Sequence, residues 1–419
     1  MSGNEPVRII GAGVAGLAAA VKLAGHGVPV EVSEGAAQAG GRCRSYHDPQ
    51  LDMVIDNGNH LVLSGNTAVY DYLARIGADH ALAGPDKAEF HWTNLRTGER
   101  WLLTPDEGPI PFWVFDPKRR PPGTRLADFL PLAKLIRPPR GRRVDQVVPA
   151  SEPAWERLLE PFLLAMLNTA PAEGSADLAA AVVRETLAKG GRRYRPRIAE
   201  PTLSAAFIEP ALTYLAAKGA ALRTGRRLRA MEFAPNRVST LTFPDRTEAV
   251  GEGAPVILAV PPQQAQTLVP GLSAPNEHRA IVNAHFKMTP PAGLPAMIGV
   301  IGGVVEWIFV FKDRISITIS GADRLLDEPR EALAQRLWGE VAQVHGLPAE
   351  LPPWQIVRER RATFAATPAQ DAKRPPSQTR WSNLILAGDW TQTGLPSTIE
   401  GAIRSGFKAA DLALQVRRV

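Results

Sequence analysis

Short apolar runs punctuated by glycine mark the start of the chain. Val7, Ile9 and Ile10 lead into Gly11. Alanine-rich sequence over 17–24 follows, closed by Gly25 and Gly27, and a second apolar run over 28–32 ends at Glu34. A strand, a glycine turn, a helix and a second strand of these lengths predict a βαβ unit. Between 105 and 145 the pattern gives way to prolines and basic residues, with a weak amphipathic stretch around 126–136 that Pro131 interrupts. Alanine and leucine at helical spacing predict helix over 151–189. An α/β pattern returns over 207–260, with a helix near 210–218 and strand-like pieces that end in 256–260. Strands are expected over 281–320, a helix over 328–346, a strand over 384–387 and a last helix over 400–416. The longest apolar stretch, 295–311, contains Gly302, Gly303 and Glu306. It reads as two strands about a Gly-Gly turn rather than a membrane span. No internal repeat is visible.

Composition narrows the class. The 419 residues are 45% hydrophobic and 21% charged, enough apolar chain for two or three folding units of roughly 150 residues each. Disorder is excluded as the main state, and a single cysteine, Cys43, excludes a disulfide framework. Cys43 reads as a buried spectator rather than a nucleophile. No basic segment opens residues 1–6 as a secretory signal would, so a cytoplasmic protein is expected. The net charge of +6 comes from 38 arginines and 10 lysines. It reads either as a coding preference or as a basic surface for anionic lipid or nucleic acid. No nucleic-acid module is recognisable.

The first chemical motif is Gly11-Ala12-Gly13-Val14-Ala15-Gly16. Its glycines permit a tight turn, a backbone approach to pyrophosphate and close helix–strand packing, with the helix N-terminus facing the phosphates. Glu34 lies 18 residues beyond Gly16, where its carboxylate can take a ribose diol and disfavour a 2′-phosphate. A second doublet, Gly40-Gly41 with Arg42, brings more backbone and a cation to the nucleotide. Arg42 has the plainer reading of a surface ion pair. The run Leu384-Ile385-Leu386-Ala387-Gly388-Asp389 ends a strand on an acid that can bind a ribityl chain. The helix beginning near Ser397, Thr398 and Ile399 can face a flavin pyrimidine. Asp389 has the plainer reading of a helix cap.

Together these motifs resemble the amine oxidase and phytoene desaturase superfamily of FAD enzymes. Three stretches make the resemblance closer: Asp56-Asn57-Gly58-Asn59-His60-Leu61, Ile281-Val282-Asn283-Ala284-His285-Phe286, and Arg361-Ala362-Thr363-Phe364-Ala365-Ala366-Thr367-Pro368 leading into Gly388-Asp389-Trp390-Thr391-Gln392-Thr393-Gly394-Leu395-Pro396. They are similar to the hydroxysqualene dehydroxylase family, also labelled squalene-associated FAD-dependent desaturases, over nearly the whole chain, although 85–200 is weakly patterned. The resemblance implies an α/β fold, a Rossmann-like FAD-binding domain of the two-dinucleotide-binding flavoprotein type with an inserted α+β substrate domain. The cofactor domain is expected from 1–75, 201–262 and 352–419, and the substrate domain from 76–200 and 263–351. Ala15, Asn57, Gly58 and Leu228 join the expected FAD contacts.

The implied reaction is loss of hydroxyl from hydroxysqualene, in hopanoid biosynthesis, with hydride from reduced flavin, which needs an apolar site and a donor for the departing oxygen. Asp56, His60 and His285 are the candidate donors. Each has a structural alternative, as turn ligand, core histidine and strand residue respectively. The amine oxidases place an aromatic residue where this chain has Thr398, which speaks against an amine cage. Running the chemistry oppositely, as a carotenoid desaturase, is the second enzyme reading, and a non-catalytic isoprenoid carrier the third. The electron donor is unassigned, no metal-ligand spacing is present, and the basic stretch 118–143 with Leu126, Phe129, Leu130, Leu132, Leu135 and Ile136 is either a docking surface for anionic membrane or a solvated face.

Overall fold

The computed structural model describes residues 5–150 and 153–417. Residues 1–4 and 418–419, within the segments expected in the cofactor domain, and 151–152, at the head of the expected helix 151–189, lie outside the described residues.

The first sheet has five parallel strands in the order Ala221–Arg223, Val30–Ser33, Val7–Ile10, Val256–Leu258, Leu384–Leu386. Three distant parts of the chain therefore contribute to it. Registered neighbours line opposite faces: Val32, Ile9, Ile257 and Ile385 on one, Ile10, Leu258 and Leu386 on the other. Both rows are buried, as a parallel sheet covered on two sides requires. The helix Val14–Gly25 packs on the first face and is buried almost all round. It needs alanine because the C-terminal helix Ile399–Val416 comes very close: a Cβ on Gly406 would sit 2.2 Å from the Ala15 carbonyl oxygen and 2.9 Å from Ala18 Cβ. A three-stranded antiparallel meander, Ala230–Ala234, Arg237–Thr242 and Thr247–Ala249, links two of the parallel strands.

The second sheet has seven strands in the order Trp354–Phe364, His278–Lys287, Arg314–Ile319, Trp307–Val310, Met297–Ile301, Phe90–Asn94, Arg100–Leu103. One pairing, Met297–Ile301 with Phe90–Asn94, is parallel and the rest are antiparallel. Period-two alternation divides its faces. Val282, Ala284, Phe286, Ile308, Ile315, Ile317 and Ile319 pack against Leu333, Leu337 and Trp338 of the helix Arg330–His345. The opposite face carries Asn283, His285, Ser316, Thr318, Trp307 and Phe309.

The stretch 295–311 is the antiparallel pair Met297–Ile301 and Trp307–Val310 about Gly302. No helix among the described residues is long and apolar enough to cross a membrane. Three sequence expectations need revision. Trp354–Phe364 falls in 352–419, assigned to the cofactor domain, yet it pairs with His278–Lys287 as the edge of the seven-stranded sheet. Its buried Ile356, Ala362 and Phe364 belong to that sheet's packing. Leu61–Leu63 and Leu82–Ala83 both pair with Pro196–Ala199, so a small sheet straddles the expected boundary at 75. The helical stretch 151–189 divides at Asn168, in the left-handed region at φ +48°, into Glu160–Leu167 and Ala176–Glu185, the second capped by Ser175.

Candidate functional site

The glycine turn sits where the Val7–Ile10 strand hands over to the helix. Gly11 adopts φ +108°, and a Cβ there would lie 2.4 Å from the Ala259 carbonyl oxygen. Gly13 is the helix N-cap and brings no side-chain cap, leaving first-turn N–H groups for an external acceptor. A Cβ on Gly13 would meet nothing within 4 Å, so the space in front of the turn is open. Glu34 accepts the N–H of Ala12 at 2.7 Å and of Ala36 at 2.8 Å, holding its carboxylate beside the turn. The second doublet reaches the same place: Gly40 N–H donates to Ala12 O at 2.8 Å, and a Cβ on Gly41 would stand 3.2 Å from Gly13 Cα. Leu228 is buried just beyond 225–226, whose N–H groups donate to Ala36 O and Glu34 O.

The doublet is tied to the C-terminal motif by an ion pair. Arg42 donates to Asp389 Oδ1 at 2.6 Å and to Ala362 O at 2.5 Å. Ser397 Oγ donates to Asp389 Oδ2. Burial pushes the Asp389 carboxyl up, but Arg42, the Ser397 hydroxyl and Arg374 outweigh it and hold it below the usual carboxylate range. Arg42 is exposed and makes an ion pair, as its plainer reading had it, although the partner Asp389 is buried; Asp389 is not the cap of the last helix, which is Thr398, whose Oγ1 accepts the Gly401 N–H at 3.0 Å. Ile399 opens that helix. Sequence reasoning missed Arg374, which is buried and donates to the carbonyls of Asp389, Thr391 and Leu395 and to Thr393 Oγ1. One guanidinium thus fixes the loop that presents Asp389. Its neighbours Lys373, Pro375 and Pro376 give no sign of burial.

The Asp56–His60 segment lies against the polar strip of the seven-stranded sheet. Asp56 Oδ1 accepts from Ser45 Oγ at 2.6 Å and Leu203 N–H at 2.9 Å, and Oδ2 lies 3.6 Å from the buried Arg314. Burial raises its pKa against these partners. His285 is fully buried. Asp56 O can only accept, so Nε2 carries the His285 proton and donates to it at 3.1 Å. Nδ1 then accepts from Ser316 Oγ at 2.7 Å. Burial, with Arg314 nearby, lowers this pKa to about 3. Asn57 donates to Glu359, and Gly58 lies against Asn283. His60 differs from both other candidates. It has no hydrogen-bond partner among the described residues and lines a cavity with Asp56, Asn59, Ile198, Leu203, Phe309 and Phe311. Asn59 Oδ1 in the same wall is buried without a partner. Burial and then the Arg42 cation lower the His60 pKa to about 4, so it is neutral at pH 7.

Across the sheet the same face turns from polar to aromatic. One registered row runs Asn283, Thr318, Trp307, Gly299, Trp92, Trp101. Trp92 meets Trp307 edge-on at 5.1 Å between centroids and stacks on Trp101 at 6.1 Å. Gly299 makes this fit: a Cβ there would lie 2.5 Å from the Trp92 ring. The residues present fit FAD. An uncapped helix N-terminus, an open space before Gly13 and the carboxylates of Glu34 and Asp389 match its pyrophosphate, ribose and ribityl groups.

The profile of the family described as flavin containing amine oxidoreductase matches residues 14–414. The chain is 53% identical over 416 residues to hydroxysqualene dehydroxylase of Rhodopseudomonas palustris, covering 99% of this chain and 100% of that one. It is 51% identical over 408 residues to hydroxysqualene dehydroxylase of Sinorhizobium fredii, covering 97% and 98%. Among solved structures, cyclohexylamine oxidase from Brevibacterium oxydans superposes with a TM-score of 0.71 over 98% of this chain and 99% of that one at 16% identity, a likeness of fold.

Proposed function

This chain belongs to the flavin-containing amine oxidoreductase family, and from that premise we propose that it is an FAD-dependent oxidoreductase converting hydroxysqualene to squalene. The observation that carries the substrate is the likeness over the whole chain to two dehydroxylases. Reduced FAD, when bound, supplies the hydride that replaces the hydroxyl, and the oxygen leaves with a proton as water. The uncapped turn at Val14–Gly16 and Arg42 serve the pyrophosphate, Glu34 the ribose and Asp389 the ribityl chain. His60, neutral at pH 7, donates a hydrogen bond through its ring N–H that orients and polarises the departing oxygen, and the proton that completes the water comes from solvent. Asp56 and His285 position its segment, because their polar atoms are already engaged within the protein. Phe309, Phe311 and Trp307 exclude water and offer ring faces to an allylic cation. The wall suits an isoprenoid better than an amine, as the absence of an aromatic at Thr398 suggested. An electron donor must return two electrons after each turnover.

The test is anaerobic. The reduced protein is mixed with hydroxysqualene, flavin colour is followed, and the product is identified by mass spectrometry. Squalene appearing in step with flavin oxidation is expected, and unchanged substrate beside reduced flavin would overturn the reading. His60→Ala should slow the oxidation about a hundredfold or more while retaining FAD. Wild-type rates in that variant would remove His60 from the role.

A further inference from the structure

The surface least explained by the site lies over 110–136. In Phe112–Phe115, Trp113 and Val114 point inward while Phe112 and Phe115 are 60% and 61% exposed. In Leu126–Ile136, Phe129 and Leu135 are buried while Leu130 is 68% exposed, with Leu126 and Ile136 also outward. The Trp113 and Phe129 rings meet edge-on at 5.4 Å, locking the two 3-10 segments into one ridge. A soluble monomer seldom leaves so many large apolar side chains together in water.

The polar residues of the ridge are of one sign. Residues 109–143 contain nine lysines and arginines against two acids, more net charge than the whole chain's +6. Of the acids, Asp128 is buried and accepts the Arg125 N–H, while Asp116 accepts the Lys118 N–H. Lys118, Arg125, Lys134, Arg137 and Arg140 are exposed. We infer that this ridge docks the protein on an anionic lipid bilayer, with Phe112, Phe115 and Leu130 inserted and the basic side chains at the phosphates. Protruding apolar side chains ringed by cations suit a fluid anionic surface. Beneath the ridge, Trp113, Phe129 and Leu135 belong to the same continuous apolar core as Trp92 and Trp307, so the aromatic wall and the bilayer face are joined by apolar packing. The inference rests on the proposed function only for its purpose, delivery of a lipid-dissolved substrate.

The test uses the FAD-loaded full chain and vesicles of phosphatidylcholine alone or mixed with phosphatidylglycerol, without substrate. Co-sedimentation should be at least about tenfold stronger with the anionic vesicles and fall as salt rises. The triple variant Phe112→Ser, Phe115→Ser, Leu130→Ser should lose about tenfold of that binding with unchanged flavin content and melting temperature. Arg137→Glu with Arg140→Glu should lose it selectively on the anionic vesicles. Equal binding to both vesicles, or wild-type binding by the triple variant, would overturn docking. So would a wild-type dimer in sedimentation that the triple variant renders monomeric, because a second copy would then cover the ridge. Failure here alongside normal squalene formation removes the docking alone, and the converse removes the proposed substrate alone.

Discussion

At the scale of single residues, the site rests on side chains whose partners are remote in sequence. Glu34 and Gly11 to Gly16 could be read locally, because a βαβ turn places its acid at a fixed spacing. Arg42 and Asp389, 347 positions apart, could be named but not joined. Arg314 gave no signal, because a strand arginine is ordinarily exposed and only the fold puts it behind Asp56. Asp56→Asn leaves that guanidinium facing an amide, with the exposed Asp313 as its remaining ion-pair partner. Breaking a buried pair from one side should cost about 3 kcal/mol, read as a lowered urea midpoint, and a loss below about 1 kcal/mol would show the pair to be dispensable. The histidines set an acid limit. His285 and His60 have folded pKa values lowered to about 3 and about 4, below the ordinary 6.5, so the unfolded chain binds more protons as pH falls. Their stabilisation is complete above pH 6.5 and is lost progressively from there, toward about pH 4 for His60 and about pH 3 for His285. Asp56, raised by burial, works in the opposite direction near its own range. His285 alone contributes a slope of up to about 1.4 kcal/mol per pH unit. His285→Gln keeps a donor for Asp56 O without titrating, so unfolding midpoints between pH 6.5 and 4.5 should vary less steeply than in the wild type.

At the scale of elements, the legible ones carry their own punctuation. The pair of strands about Gly302 and the C-terminal helix after Thr398 were readable because turn and cap residues announce them. The Trp354–Phe364 edge strand was misplaced because nothing in a strand's own sequence names its neighbour. The 3-10 ridge was half legible: prolines and arginines showed an irregular basic stretch, but which of its leucines face outward depends on Trp113 meeting Phe129. The aromatic row is likewise a property of register, with each strand contributing one ring or, at Gly299, the space for one. Gly299→Val should push the Trp92 ring off its strand, costing about 1–3 kcal/mol. It should raise KM for the triterpene and shift tryptophan fluorescence, with FAD content unchanged. Unaltered KM and emission would show that the Trp92–Trp307 contact does not shape the wall.

At the scale of the whole molecule, the proposed cofactor site is a joint between distant segments. Its glycine turn comes from the first βαβ unit, Leu228 from the stretch before the meander, and Asp389 from the end of the chain. A ligand held by all of them stabilises the folded state without binding the unfolded one. Free FAD at about a hundred times its dissociation constant should add about 2.7 kcal/mol, seen as a melting temperature that climbs with FAD concentration. A melting temperature indifferent to added FAD would mean that the segments close without it. The five-stranded sheet also has a consequence for biosynthesis. The Val7–Ile10 strand is made before its partners in the sheet, and one of its edges stays unpaired until Val256–Leu258 has been made. The helix Val14–Gly25 has no Gly406 to receive it until the distant helix Ile399–Val416 has been made. The nascent protein therefore carries an alanine-rich helix with its C-terminal partner missing and a sheet with an open edge, and a ribosome that stalls before Leu384 leaves an aggregation-prone fragment rather than a weak flavoprotein.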